Sequence, residues 1–141
     1  MADEVVNVEG TSGWVSLVTG LSLTADVFAQ VSTSSFATLF AATEEDYPQL
    51  QVRFQVTTGT PTENAIAAFH LRMSDGTNQE PAPSGDYAPH FIGMVTMDNT
   101  ASAYYFSDPM PFSNKESTMY VKSDDTLTVS VSVRMITLGP A

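Results

Sequence analysis

A chain of 141 residues has the size of one ordinary domain. With 43% hydrophobic residues and only 15% charged it is too apolar for a disordered acidic tail, and no apolar run reaches the ~18 residues that span a bilayer. Sixteen acids against five scattered bases give a formal charge of −11, a balance opposite to that of a phosphate-neutralising surface, and leave neither nucleic acid nor an anionic membrane as an expected partner.

The chain opens on Met1-Ala2-Asp3-Glu4, which lacks the basic and apolar regions of a secretory signal, so synthesis in a cytosol is expected. Residues 1–13 read as an N-terminal arm ending in the turn-rich Glu9 to Gly13, and residues 14–141 read as a single domain. Strands are expected at Trp14 to Val18 and at Leu21 to Val31 with some break. From Ser35 to Asp46 the spacing of Phe36, Leu39 and Phe40 fits a short helix ending before Pro48 as well as it fits a strand.

Alternation then becomes clear. Leu50, Val52, Phe54 and Val56 share one face, with Gln51, Arg53 and Gln55 on the other. After a turn at Thr57 to Pro61, strands are expected at Ala65 to Met73, His90 to Met97, Ala101 to Phe106 and Thr118 to Lys122, separated by turns at Ser74 to Thr77, Asp98 to Thr100 and Ser123 to Asp125. The loop Ser74 to Pro89 is long, proline-rich and without apolar periodicity, which marks it as functional or mobile. The last strand, Thr126 to Met135, alternates strictly and puts Leu127, Val129, Val131, Val133 and Met135 on one face.

Eight or so short strands, no βαβ alternation and no repeat of 20–50 residues predict an all-β fold. The expected architecture is an antiparallel two-sheet β-sandwich, jelly-roll-like, with an immunoglobulin-like sandwich as the alternative.

Little in the sequence supports chemistry. With no cysteine there is neither disulfide nor thiolate, and no nucleophile elbow or phosphate-cradling glycine loop is present. His70 and His90, with Asp75 or Asp86 from the loop between them, could make a metal site only by converging in the fold, and both fit better as sheet histidines with ordinary partners. Asp124-Asp125 and Glu44-Glu45-Asp46 lack the spacing of a Ca²⁺ loop and read as solvated turn acids. The chain is expected not to be an enzyme and to take no cofactor and no metal.

Contact chemistry is better represented. Trp14 reads as a strand anchor or a partner contact, and Tyr104 and Tyr105, being adjacent on a strand, point to opposite faces, so one leaves the core. In Pro109-Met110-Pro111-Phe112 two prolines deny backbone donors and hold Met110 and Phe112 in an extended connection expected to be exposed. Trp14, Tyr104, Tyr105, Met110 and Phe112 are the candidate partner-binding residues.

The stretch His90-Phe91-Ile92-Gly93-Met94-Val95-Thr96-Met97-Asp98-Asn99-Thr100, then Pro109 to Phe112, then Met119-Tyr120-Val121-Lys122-Ser123-Asp124-Asp125 and the alternating last strand, resembles the closing half of small tailed-bacteriophage virion proteins. In particular it is similar to the jelly-roll decoration, or cement, proteins of capsids, over roughly a third to two fifths of the chain. That resemblance implies a non-enzymatic protein of the virion, made in a bacterial host cytoplasm, that adds to the outer surface of an assembled shell, commonly as a homotrimer, with the major capsid protein as partner. A carbohydrate- or receptor-binding module, or another head or tail component, is the alternative.

Overall fold

The computed structural model describes residues 5–8, 13–32, 34–36, 49–111 and 116–140. Ten strands lie among them: β1 (Val5–Val8), β2 (Val15–Leu23), β3 (Phe28–Gln30), β4 (Gln49–Thr58), β5 (Ile66–Arg72), β6 (Phe91–Thr96), β7 (Tyr104–Phe106), β8 (Met110–Pro111), β9 (Thr118–Ser123) and β10 (Leu127–Pro140). Among the described residues no helix is long and apolar enough to cross a membrane.

The strands form two antiparallel sheets, as expected. In the first, β10 lies between β2 and β4, β1 extends the β2 side by pairing the last four residues of β10, and β7 and β8 pair the far side of β4. The second has the order β3-β9-β5-β6. Taking β8 with β7 and setting β1 aside, eight strands remain. The first of them pairs with the eighth, the second with the seventh, the third with the sixth and the fourth with the fifth. One long antiparallel ribbon rolled on itself has this order, so the sandwich is a jelly roll, and the immunoglobulin-like alternative is set aside. Residues 5–8 of the expected arm are β1.

Alternation drives the packing. Leu50, Val52, Phe54 and Val56 of β4 and Val129, Val131, Val133 and Met135 of β10 are buried, while the residues between them are half-exposed. Ala67, Phe69 and Leu71 of β5 and Met119 and Val121 of β9 face them from the second sheet, and the rings of Phe54 and Phe69 meet edge to face at 6.1 Å across the sandwich. Each fully buried aliphatic or aromatic side chain contributes about 1.5–3 kcal/mol.

The strands expected at Trp14 to Val18 and from Leu21 are joined into one. Thr19-Gly20 is a bulge inside one continuous β2: Gly20 takes φ +69°, its N–H donates to Ser130 Oγ (3.2 Å), and the register with β10 shifts there without the strand leaving the sheet. The break expected within Leu21 to Val31 is a turn at Ala25-Asp26, where Asp26 has φ +61°. The strand expected from Ala101 begins only at Tyr104, because Ala101-Ser102 is a turn with Ser102 at φ +58°. Phe36 is fully buried, and the rest of the helix-or-strand segment, 37–48, lies outside the described residues.

Candidate interaction surface at the open edge

Rolling the ribbon leaves the two sheets ending, on one side, in β6 and in β7 with β8. Among the described strands β6 pairs with β5 alone and β7 with β4 alone, so the outer edge of each presents unused backbone donors and acceptors. Between these edges runs a groove of about 530 Å³, lined by Phe91 to Thr96 and by Phe106, Asp108, Pro109 and Met110.

Large apolar side chains crowd this edge. Phe91 is 57% exposed, Met94 47%, Tyr104 54% and Phe106 54%. Native sheet edges are ordinarily blunted by charge, proline, a bulge or brevity. β7 and β8 are short and β8 is proline-flanked, but β6, Phe-Ile-Gly-Met-Val-Thr, is six residues long with neither charge nor proline, its one irregularity being the register shift at Ile92.

The floor of the groove corrects one expectation. Met110 is 2% exposed, not presented to solvent. Its register partner on β4 is Leu50, whose side chain points into the core, and Met110 follows it inward. Its thioether lies where Gly93 of β6 has no Cβ to obstruct it: a Cβ there would sit 2.7 Å from Met110 Cγ and closer still to Sδ. Phe112 lies outside the described residues.

Tyr104 and Tyr105 divide as their adjacency demands. Tyr104 faces solvent, whereas Tyr105, opposite Phe54, turns inward against the core. The Tyr105 hydroxyl donates to Asp98 Oδ1 at 2.8 Å. That bond, aided by the Thr100 amide, holds the Asp98 carboxyl below the usual carboxylate range, while burial and the same bond push the Tyr105 phenol up.

Trp14, just before β2, is half-buried on the outer face of the first sheet. The Cζ atoms of Arg53 and Arg134 stand 4.8 and 4.7 Å from its ring centre, and Phe106 lies 5.9 Å away, which makes Trp14 continuous with the open edge.

The two histidines have separate environments. His70 is buried, with Nδ1 2.7 Å from the Pro89 carbonyl and its ring between Phe28 (5.0 Å) and Phe91 (5.5 Å). His90 Nε2 lies 3.0 Å from Glu80. Asp75 caps its own turn by accepting from the Thr77 and Asn78 amides, and no cluster of three metal-ligating side chains occurs among the described residues. Asp124 and Asp125 accept from the Ile66 and Thr62 amides, and Glu44 to Asp46 lie outside the described residues.

The loop 74–89 owes its order to Glu80, which the sequence reading passed over. Its carboxylate accepts from the Met73 amide (2.7 Å) and the Tyr87 hydroxyl (3.3 Å), and its carbonyl accepts from Arg72 Nε (2.7 Å). Burial pushes the Glu80 carboxyl up, but the Met73 amide and His90 outweigh it and leave it below its ordinary value. Phe91, Met94 and Phe106 were also missed. They sit within runs readable as strands, and only knowing that β6 and β7 end their sheets turns those side chains into surface.

No protein-family model and no curated protein sequence matches the chain. Among solved structures, a chain from the heated full particle of Israeli acute paralysis virus is similar at a TM-score of 0.32 and 12% identity, covering 90% of this chain and 71% of that one. The jelly-roll assignment rests on this chain's own strand order.

Proposed function

We propose that the protein is a non-enzymatic structural component of a phage virion that binds the outer surface of the assembled capsid and stabilises it as a decoration, or cement, protein, with the major capsid protein as its partner and its copies associating as a homotrimer. The observation that carries this reading is the open edge, where the uncharged β6 exposes Phe91 and Met94 and β7 exposes Tyr104 and Phe106, in a protein otherwise strongly acidic. An edge of that kind is adhesive unless covered, and a shell partner covers it. The resemblance of the segment from His90 onward to capsid decoration proteins supplies the kind of partner.

Electrostatics agree with such a position. A layer outside a shell meets no nucleic acid, so a charge of −11 meets no phosphate repulsion, and it keeps particles from sticking to one another. A ligand that binds only the assembled state stabilises it by about 2.7 kcal/mol at a hundredfold excess over Kd.

The test is co-sedimentation of the purified protein with capsids lacking it, followed by thermal disassembly of those capsids. Saturable binding and a raised disassembly temperature are expected. Absence of binding to capsids of the source phage overturns the reading. The sugar-binding alternative draws on the exposed Tyr104, but the Trp14 ring already has two guanidinium groups within 5 Å of its centre and offers no clear platform for a pyranose. Glycan binding lost on Tyr104→Ala, without capsid binding, would favour that alternative.

A further inference from the structure

We propose that β6 takes up an extended segment of the shell protein as an added strand, apolar at alternate positions and bearing a lysine or arginine that meets Asp108. The added strand is the way in which the shell binding is made, and it rests on that reading. Its first support is the backbone. Met97, just past β6, donates its N–H to the Ala65 carbonyl (2.8 Å) and accepts from the Asn64 amide (2.8 Å), so both of its polar groups point towards the β5 side. Successive residues of an antiparallel strand turn these groups alternately to one side and the other. Those of Thr96 and Met94 therefore point away from β5, and among the described residues no strand, loop or side chain takes them up.

The space beside this edge suits side chains. A strand added to β6 runs about 4.8 Å from it and sends every second side chain to the core side, here the groove between the two sheets. Ile92, Val95, Pro109 and Met110 are among its lining and are all apolar. The other side chains of the added strand lie on the outer face, where Phe91, whose ring also meets His70, and Met94 are exposed. In this mode of recognition main-chain bonds supply affinity, and the places for alternate side chains supply selectivity.

Charge selects among apolar strands. Asp108 is the one ionisable residue of the groove lining. It is exposed and makes neither hydrogen bond nor ion pair among the described residues. A carboxylate at the rim of an apolar groove, in a chain of net charge −11, favours a cationic occupant and repels an acidic one. A second copy of this chain, with sixteen acids and five bases, is the poorer occupant on the same ground.

Co-sedimentation with capsids lacking the protein tests the added strand through its backbone. Thr96→Pro removes an N–H that points away from β5 and leaves the β5 ladder intact, and an edge strand accommodates proline in that orientation. It should weaken capsid binding at least about tenfold, whereas Thr96→Ala, which keeps the N–H, should weaken it far less. Asp108→Asn should weaken binding about threefold or more, and Asp26→Asn, the same charge change beside β3 at the opposite edge of the second sheet, should not. In the wild type, amide exchange within residues 91–97 should slow on binding. Circular dichroism and the thermal midpoint check folding, and if Thr96→Pro does not fold, the exchange measurement decides alone. Wild-type binding that Thr96→Pro leaves unchanged, that Thr96→Ala weakens as much as Thr96→Pro does, or that leaves exchange in 91–97 as fast as before overturns the added strand and leaves shell binding standing. A wild-type protein that does not bind capsids overturns both. Self-association without capsids, lost in Thr96→Pro, gives the edge to a second copy and overturns the proposal.

Discussion

Met110 occupies the space above Gly93 that any other residue's Cβ would claim, and this contact helps join the edge strands of the two sheets. Gly93→Ala should therefore act as overpacking and cost roughly 1–3 kcal/mol, measured by urea unfolding. Adding Met110→Ala to it should recover part of that loss, because the second change vacates the contested volume. Full additivity of the two costs would show that they do not share this contact.

Met94→Lys should separate adhesion from stability. Met94 is on the solvent side of β6, so the folded protein should change by no more than about 0.5 kcal/mol. A charge on a free edge is how native sheets discourage pairing, and capsid co-sedimentation should weaken more than about tenfold.

Ser107 is small but buried, and it replaces a strand partner. Its Oγ accepts from the Val52 amide at 2.9 Å while its own amide donates to the Val52 carbonyl at 3.0 Å. Ser107→Ala leaves the Val52 N–H buried without that acceptor, and a loss of about 1–3 kcal/mol in chemical denaturation is expected.

Tyr105→Phe should change the acid limb of stability. Asp98 titrates lower folded than unfolded, so its stabilising contribution is present above the ordinary carboxylate range and disappears as pH falls through the lowered folded value. Without the Tyr105 hydroxyl that dependence should flatten, read as a smaller change in thermal midpoint between neutral and acidic pH. The phenol is shifted the opposite way, so the wild type should also lose stability as pH rises above the ordinary tyrosine value, and the variant, which keeps the similarly raised Tyr87, should lose less.

Glu80→Gln tests the loop. The carboxylate is depressed, so its contribution holds above the ordinary glutamate value and is lost as pH falls through the folded one. Faster amide exchange and proteolytic nicking within residues 74–89 are expected at neutral pH, with the thermal midpoint of the sandwich little changed.

Much of the fold was legible because one face of each long strand is wet. Strict alternation in Leu50 to Val56 and Leu127 to Met135 located the two central strands of the first sheet, where burial repeats every second residue. The two positions left outside the expected strands, Thr19 and Gly20, are a bulge, and since a bulge and a turn ask for the same backbone freedom only the partner strand distinguishes them. Proline misled at positions 109 and 111: it told correctly of extended backbone and nothing of where the intervening methionine points, which its pairing with Leu50 decides. The edge itself was invisible, because Phe91 to Thr96 reads only as a strand until its place at the end of a sheet is known.

The pairing of β2 with β10 also dictates how the protein comes into being. Gly20 finds Ser130 across 110 positions of chain. While the polypeptide is still emerging from a ribosome, β2 has no mate, and the first sheet cannot close until β10 has been made. Such distant pairing places folding in the slow, millisecond-to-second regime of all-β proteins. Nascent copies must therefore pass through a stage with unmated strands, and crowding many of them together then would invite tangling between chains instead of within them.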